Sequence, residues 1–407
     1  MAQAGHRGAA DVLARLTRHL RSEERIWRAI SRLALGLYRR TRLAAAARRG
    51  DAARCAFLLA HGADARAVDA FGRTPLDEAL AGGHAAAAAV LRGAGAVDAA
   101  PFGGAAVAMW GPVAGAGGRP DEVWSLASLG GGRIAVGHDS GAIVVRDTST
   151  GSVTATLVGH ADAVLALVAL PGGRVASAGY GGDHSVRVWS VATGAAEAVL
   201  AGHTNSVRAL AVVLDGRLAS GSDDGSVRLW DVRARVCTAV LAHGRGVNAL
   251  AALPCGGVAS GGDDGCIVLW SAAGARMAVL GDGAGFGAVF SLAMLPDGRL
   301  AAGYGGRDDN VVRVWDVPRR AVDVVIRGHA RFVRALAALP GGCLLSGSDD
   351  HTLKVWDERP LSVRGGTDCD TCAATLEGHT HYVFTLAVLP DRSVASGSLD
   401  GTVHVWR

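Results

Sequence analysis

The chain has 407 residues, 50% apolar, 19% charged and only 5% aromatic, with a formal net charge of +4. That length is a prior for two or three domains with a sizeable core, and so weak a charge excludes nucleic-acid binding across the chain. Glycine, at 58 residues, has about twice its usual share, which excludes a long helical bundle and points to many turns.

Arginine supplies almost all the positive charge, and Lys354 is the only lysine. The cysteines, Cys55, Cys237, Cys255, Cys266, Cys343, Cys369 and Cys372, are scattered and odd in number. That favours reduced thiols and a cytoplasmic setting, with the nucleus as the other candidate. Cys369-Asp370-Thr371-Cys372 is a single CxxC with no second ligand pair at matching spacing, so no metal site is expected. No charged start followed by an apolar stretch opens the chain, so no secretory signal is expected. The longest uncharged run, Ala99 to Gly118, is rich in glycine and holds Pro101 and Pro112, so no membrane span is expected.

The first 50 residues carry twelve arginines against Asp11, Glu23 and Glu24, a net of +9. Leu13, Leu16, Leu20, Trp27, Ile30 and Leu37 fall at helical spacing. Residues 1–42 are therefore expected to form a basic helical segment, packed on the next domain with arginine facing water. A membrane-surface helix and a targeting presequence are the alternatives.

A 33-residue period follows. It relates Gly50 to Gly83, Gly62 to Gly95, Ala63 to Ala96, Leu43 to Leu76 and Ala46 to Ala79. Two short helices and a turn fill such a unit. The second copy opens Asp69-Ala70-Phe71-Gly72-Arg73-Thr74-Pro75-Leu76-Asp77-Glu78-Ala79. Thr74 can cap a helix that Pro75 starts, because a first-turn N–H needs no partner. Residues 43–98 thus resemble two ankyrin repeats, with Asp77 where that family usually has histidine. The first copy has Arg42 in place of proline. The resemblance implies protein binding through a concave face; the other reading is a purely structural adaptor. Two repeats leave apolar faces open, so the basic segment is expected to cap one end.

From residue 120 a second repeat takes over. Trp189, Trp230, Trp270, Trp315, Trp356 and Trp406 punctuate it, and Arg146-Asp147 stands where a seventh Trp-Asp would belong. A period of about 41 residues suits a four-stranded propeller blade. The third copy runs from His203 through Val207-Arg208-Ala209-Leu210, a turn at Asp215-Gly216 and Leu218-Ala219-Ser220-Gly221-Ser222. A tight turn at Asp223-Asp224-Gly225 then leads into Val227-Arg228-Leu229-Trp230-Asp231. Alternating apolar residues bounded by Gly and Asp read as strands and turns. Residues 120–407 resemble the WD40 family. The expected fold is mainly β: a seven-bladed propeller preceded by a small α-helical ankyrin-repeat domain, with residues 99–119 as linker.

In that family a His, a Ser, an Asp and a Trp bond within a blade and satisfy buried polar groups. The resemblance implies such sets at His160, Ser177, Asp183 and Trp189; His203, Ser220, Asp224 and Trp230; and His243, Ser260, Asp264 and Trp270. Two more are His329, Ser346, Asp350 and Trp356, and His379, Ser396, Asp400 and Trp406. Blade one departs, with Pro112, Val136, Ser140 and Arg146, and blade five departs, with Asp282 for His and Ala302 for Ser. Those two blades are expected to be weaker. A hydrolase triad occurs once and opens onto a pocket, whereas these sets recur at fixed spacing. No Walker loop, HExxH or GxSxG is present. No catalytic residue or cofactor is expected, and the protein is expected not to be an enzyme.

The sequence stops one residue after Trp406, leaving the last copy without a fourth strand. Val107-Ala108-Met109-Trp110-Gly111-Pro112 matches other fourth strands, such as Ala155-Thr156-Leu157-Val158-Gly159-His160. Residues 105–110 are therefore expected to complete the last blade and close the ring.

The position after the first-strand valine varies: Trp124, Leu165, Arg208, Asn248, Phe290, Arg334 and Phe384. Neighbouring loops add Tyr180, Arg245, Tyr304, Arg307, Arg331, Phe332, His381 and Tyr382. The resemblance places these on the narrower top face. Aromatics and arginine gathered on one face suit a protein-binding hot spot; the other reading is packing between blades. The centre is expected at Arg208, Phe290, Arg334 and Phe384, with Trp124 at the rim. The expected function is a scaffold or adaptor for proteins or peptides, a monomer within a larger complex. The alternative is a substrate-recognition or ubiquitin-binding adaptor of the ubiquitin–proteasome pathway. The propeller is similar to those of F-box/WD substrate receptors and phospholipase-A2-activating-type ubiquitin-binding proteins. In the former, arginines at the positions of Arg208 and Arg334 pair with phosphorylated degrons. Here the two arginines lie on blades three and six, and no convincing F-box is present. A scaffold held at a membrane surface by the basic segment is the most distant reading.

Overall fold

The computed structural model describes residues 42–61, 63, 65, 74–81, 83–94, 104–111, 120–281, 286–306, 309–339, 342–356, 367–369 and 372–407. The basic segment up to residue 41 lies outside the described residues, as do Pro112, Asp282, Arg307, Asp370 and Thr371.

Four short helices carry the 33-residue period: α1 Arg42–Arg48, α2 Ala52–Ala60, α3 Pro75–Ala81 and α4 Ala85–Gly93. Equivalent residues of the two copies meet in one core, where Leu43, Ala46, Leu76 and Ala79 are fully buried. Cys55, Ala87, Ala88 and Leu91 complete it. Small side chains let such short helices pack closely. Asp51 caps α2 by accepting from the N–H of Arg54. Arg48 and Glu78 form an ion pair across the two copies at 2.5 Å. Among the described residues no helix is long and apolar enough to cross a membrane.

The described residues from 104 onward form seven sheets around a ring, antiparallel throughout their first four strands. Blade three shows the plan: innermost strand Val207–Val212, then Leu218–Ser222, Ser226–Asp231 and outermost Val236–Ala242. The second strand of each blade is buried, as in Leu218–Ser222, apart from a half-buried arginine at its start in blades one and two. Blades meet where a second-strand glycine faces a first-strand valine of the next blade, except at blade two, where Ala178 takes the glycine's place. A Cβ on Gly221 would stand 2.6 Å from Val247, and one on Gly397 would stand 2.5 Å from Val123. Part of the glycine excess thus serves close approach between blades rather than turns.

The ring closes through Ala106–Trp110, which pairs antiparallel with Val403–Trp406 as the fourth strand of blade seven. Ala105 and Arg407 exchange both backbone bonds, at 3.0 and 2.9 Å. Blade five carries a fifth strand that the sequence pattern did not announce. Thr367–Cys369, from the long connection inside blade six, pairs parallel with Ala321–Ile326.

Candidate interaction face of the propeller

The His-Ser-Asp-Trp sets are assembled as hydrogen-bonded chains. In blade three His203 Nδ1 lies 2.7 Å from Asp224 and Nε2 lies 2.7 Å from Ser220 Oγ. The carboxylate only accepts, so Nδ1 carries the proton and the serine hydroxyl donates to Nε2. Trp230 Nε1 donates back to that hydroxyl at 2.7 Å. Blades two, six and seven repeat the arrangement around Ser177, Ser346 and Ser396. Burial pulls the pKa of His160 and His203 down against the adjoining carboxylates, keeping the rings neutral. Burial alone would raise Asp224, but bonds from Ser226, His203 and Thr204 bring it to about 2. All five tetrad serines are fully buried, so these hydroxyls have no access to a substrate.

Blade four departs from the regular set expected there. His243 is turned over: Nδ1 meets Ser260 at 2.9 Å, and Nε2 stands 3.4 Å from Asp264 without a hydrogen bond. The cause is local. The other complete blades have Gly before His, as in Gly202 at φ 157° and Gly328 at φ 142°. Blade four has Ala242, and the glycine follows as Gly244 at φ 105°. A Cβ on Gly262 would fall 2.4 Å from His243 Nε2, so its absence makes room for the turned ring.

Blades one and five fill the same space by other means. In blade one Asp121 accepts from Ser140 N–H at 2.9 Å and Oγ–H at 2.6 Å, beside the buried ring of His138. In blade five Arg313 bonds Asp309 through both terminal nitrogens, at 2.8 and 2.7 Å. Its guanidinium lies 4.2 Å from the Phe286 ring centre and 4.6 Å from that of Tyr304. Tyr304 is fully buried, which removes it from the exposed set the sequence suggested. Burial pushes its hydroxyl pKa up.

The variable positions share one device. Each innermost strand carries a β-bulge, and the register shift falls at Trp124, Leu165, Arg208, Asn248, Phe290, Arg334 and Phe384 in turn. A bulge re-aims one side chain out of the strand alternation, so seven side chains form a ring at the end of the innermost strands. Trp124 is part of this central ring rather than of the rim, since it packs edge to face on Phe384 at 4.6 Å.

Four ring members are held by an aspartate 15 residues on. Trp124 Nε1 donates to Asp139 at 3.1 Å, Arg208 to Asp223 at 2.5 Å and Asn248 to Asp263 at 2.7 Å. Arg334 bonds Asp349 through Nε and a terminal nitrogen, both at 2.9 Å. The apolar members Leu165, Phe290 and Phe384 have Tyr180, Gly305 and Leu399 at that spacing. Both ring arginines therefore already hold a carboxylate, which weakens them as anchors for an anionic ligand. That spacing was visible in the sequence as a repeated pair.

The ring is chemically two-sided. Blades five, six, seven and one carry a continuous apolar crescent. Phe332 stacks on Phe290 at 5.5 Å, Arg334 lies 4.2 Å from Phe290 and 5.0 Å from Phe384, and Phe384 meets Trp124. A side chain on Gly305 would collide with both Phe332 and Phe290. Blades two, three and four present Leu165, Arg208 and Asn248. Of the loop residues, Arg245, Arg331 and His381 are exposed and Tyr382 is half-buried. Tyr382 packs on His381 at 4.4 Å. The structure thus gathers Trp124, Phe290, Phe332, Arg334 and Phe384 into one surface and leaves Arg208, Asn248 and Arg245 on the opposite arc. Among the described residues no group of His, Cys, Asp and Glu is arranged to hold a metal ion.

Comparison with known proteins agrees with this geometry. The family described as "WD domain, G-beta repeat" matches residues 151–190, 194–231, 235–271, 280–316, 322–357 and 370–407. Blade one, which lacks the regular set, is the blade left mostly unmatched. Ankyrin repeats match residues 43–92. The chain is similar to a nuclear distribution protein PAC1-2 of Uncinocarpus reesii, 49% identical over 53 residues, which are 13% of this chain and 11% of that protein. It is similar to cell division control protein 4 of Saccharomyces cerevisiae, 42% identical over 13% of this chain and 7% of that one. A nuclear distribution protein PAC1 of Scheffersomyces stipitis is 35% identical over 16% of each chain. The matches span only a small part of these relatives. WD40 propellers and ankyrin repeats are protein-interaction modules, and the chain, with WD40 repeats over more than half its length, belongs to the WD40-repeat family.

Proposed function

We propose that this protein is a non-enzymatic interaction scaffold whose propeller seats a protein or peptide partner on the aromatic crescent of blades five, six, seven and one. One observation carries the reading. The crescent places Phe332, Phe290 and Phe384 around one guanidinium with Trp124 packed on Phe384, all four half-buried, in a chain with only 5% aromatic residues. Large flat side chains lose little conformational freedom on contact and dominate binding energy at interfaces. The paired state of Arg208 and Arg334 gives no support to a phosphodegron receptor. The test compares proteins captured by the full chain with those captured by a Phe290→Ala/Phe384→Ala variant. Arg334 is left in place so that Asp349 keeps its partner. Loss of specific partners with an unchanged melting curve supports the reading, and retention of all of them refutes it.

A further inference from the structure

Two described guanidiniums are housed in the same way. Arg313 lies over Phe286 and Tyr304 with its fork on Asp309. Arg334 lies against Phe290 and Phe384 with its fork on Asp349. In both, aromatic faces carry the flat cation and a carboxylate closes on its donors.

At the seam of blades seven and one the aromatic and carboxylate parts recur; Arg334 reaches Phe384 at 5.0 Å, and no described guanidinium lies over Trp124. Trp124 and Phe384 meet edge to face there, and Tyr382 and His381, which pack on each other, lie on the loop just before Phe384. The acidic residues are Glu122 and Asp139, whose main chains are joined by the bond from Asp139 N–H to the Glu122 carbonyl at 3.0 Å. Trp124 occupies one oxygen of Asp139. No described side chain hydrogen-bonds to Glu122 or forms an ion pair with it. Burial and then Asp139 push its pKa up, His381 opposes them, and Asp121 adds to the rise. The aromatic wall is extended at some cost. His351 is held at φ 71°, where blades three, four and seven have Gly225, Gly265 and Gly401. Its ring stacks on His381 at 5.8 Å and lies 5.7 Å from Tyr382. Backbone strain of this kind persists where the surroundings enforce it, often at binding sites.

We infer that this seam takes an arginine side chain from a basic peptide segment of the partner, its flat face on the aromatic wall and its fork on Glu122 and Asp139. The inference rests on the crescent being the docking surface and names the chemistry of what docks. Charge decides the occupant: the seam carboxylates repel a phosphate, and a planar fork suits two carboxylates better than a point charge does.

The test uses the full chain and arrays of short, otherwise neutral peptides with Arg, Lys, Gln or phosphoserine at the centre. Arginine-centred peptides should be retained about tenfold over glutamine-centred ones, the range expected for a desolvated cation–aromatic and carboxylate contact. That advantage should vanish in Glu122→Gln/Asp139→Asn and persist in Asp215→Asn, on a turn away from the ring. Glu122→Gln alone serves if the double variant fails to fold. Equal retention of glutamine peptides, preference for phosphoserine, or no retention of any array overturns the inference. Peptides that bind without arginine preference and are lost in Phe290→Ala/Phe384→Ala would overturn it while leaving the docking surface intact. Peptides indifferent to both variants would overturn the docking surface as well.

Discussion

His404 lies flat on His379 in blade seven, ring centres 4.0 Å apart and planes 27° apart. Blades two, three and six have Arg187, Arg228 and Lys354 at the position of His404. Burial and then the neighbouring His379 hold His404 down to about 4, with Asp400 opposing. An unfolded imidazole titrates near 6.5. Between those values the unfolded chain binds more protons, so stability is greatest above the upper value and falls as pH drops toward the lower. Urea midpoints measured from neutral pH downward should therefore begin to decline near the imidazole range, about 6.5. His404→Gln should flatten part of that decline, since His160, His203 and His243 shift in the same direction. An unchanged slope in the variant would contradict this account of blade seven.

The arginines of the ring differ in how much their partners matter. Asp349 is nearly buried beneath Arg334, whereas the Arg208–Asp223 pair is more open. Asp349→Ala leaves a part-buried guanidinium unpaired and should cost about 2 kcal/mol. Asp223→Ala should cost less than about 1 kcal/mol, as exposed pairs do. Chemical denaturation of the two variants measures the difference, and equal losses would show that burial does not separate them.

The tetrads should differ in the same sense. Trp230→Ala removes a buried aromatic together with the donor to Ser220 and should cost about 3–5 kcal/mol. His203→Ala takes one buried bond from each of Asp224 and Ser220, which keep those from Ser226, Thr204 and Trp230, at about 1–3 kcal/mol. His243→Ala should cost less, because the turned ring makes one good bond. Thermal melts of the three variants check the order.

Ring closure predicts a sharp boundary for truncation. Removing residues 1–98 keeps Ala106–Trp110 on Val403–Trp406 and should leave a folded propeller. Removing residues 1–112 bares the edge of Val403–Trp406 and should promote association through it. Light scattering compares the two, and equal monodispersity would refute closure by this strand.

Much of this was legible in the sequence, for reasons tied to particular residues. Periods of 33 and about 41 residues mark units that repeat because each buries its apolar face on the next. The tetrads were readable because His and Ser recur 17 residues apart in every set, with Asp and Trp at offsets that only blade two lengthens, by two residues. What was hidden depends on single exchanges or distant contacts. Ala242 and Gly244 swap the order of small and left-handed residues and turn His243 over. Gly305 matters because Phe332, from the next blade, and Phe290 lie against it. Thr367–Cys369 finds its partner strand in another blade, which no local pattern reports. Arginines in a ring looked available until the aspartates 15 residues away were placed against them.

The central claim is that the aromatic crescent is where a partner sits. Hydrogen–deuterium exchange of the full chain with a captured partner measures this most directly. The account predicts added protection centred on Trp124, Phe290, Arg334 and Phe384 and their loops. Protection confined to helices α1 to α4 or to the outermost strands, with the crescent unchanged, would contradict it.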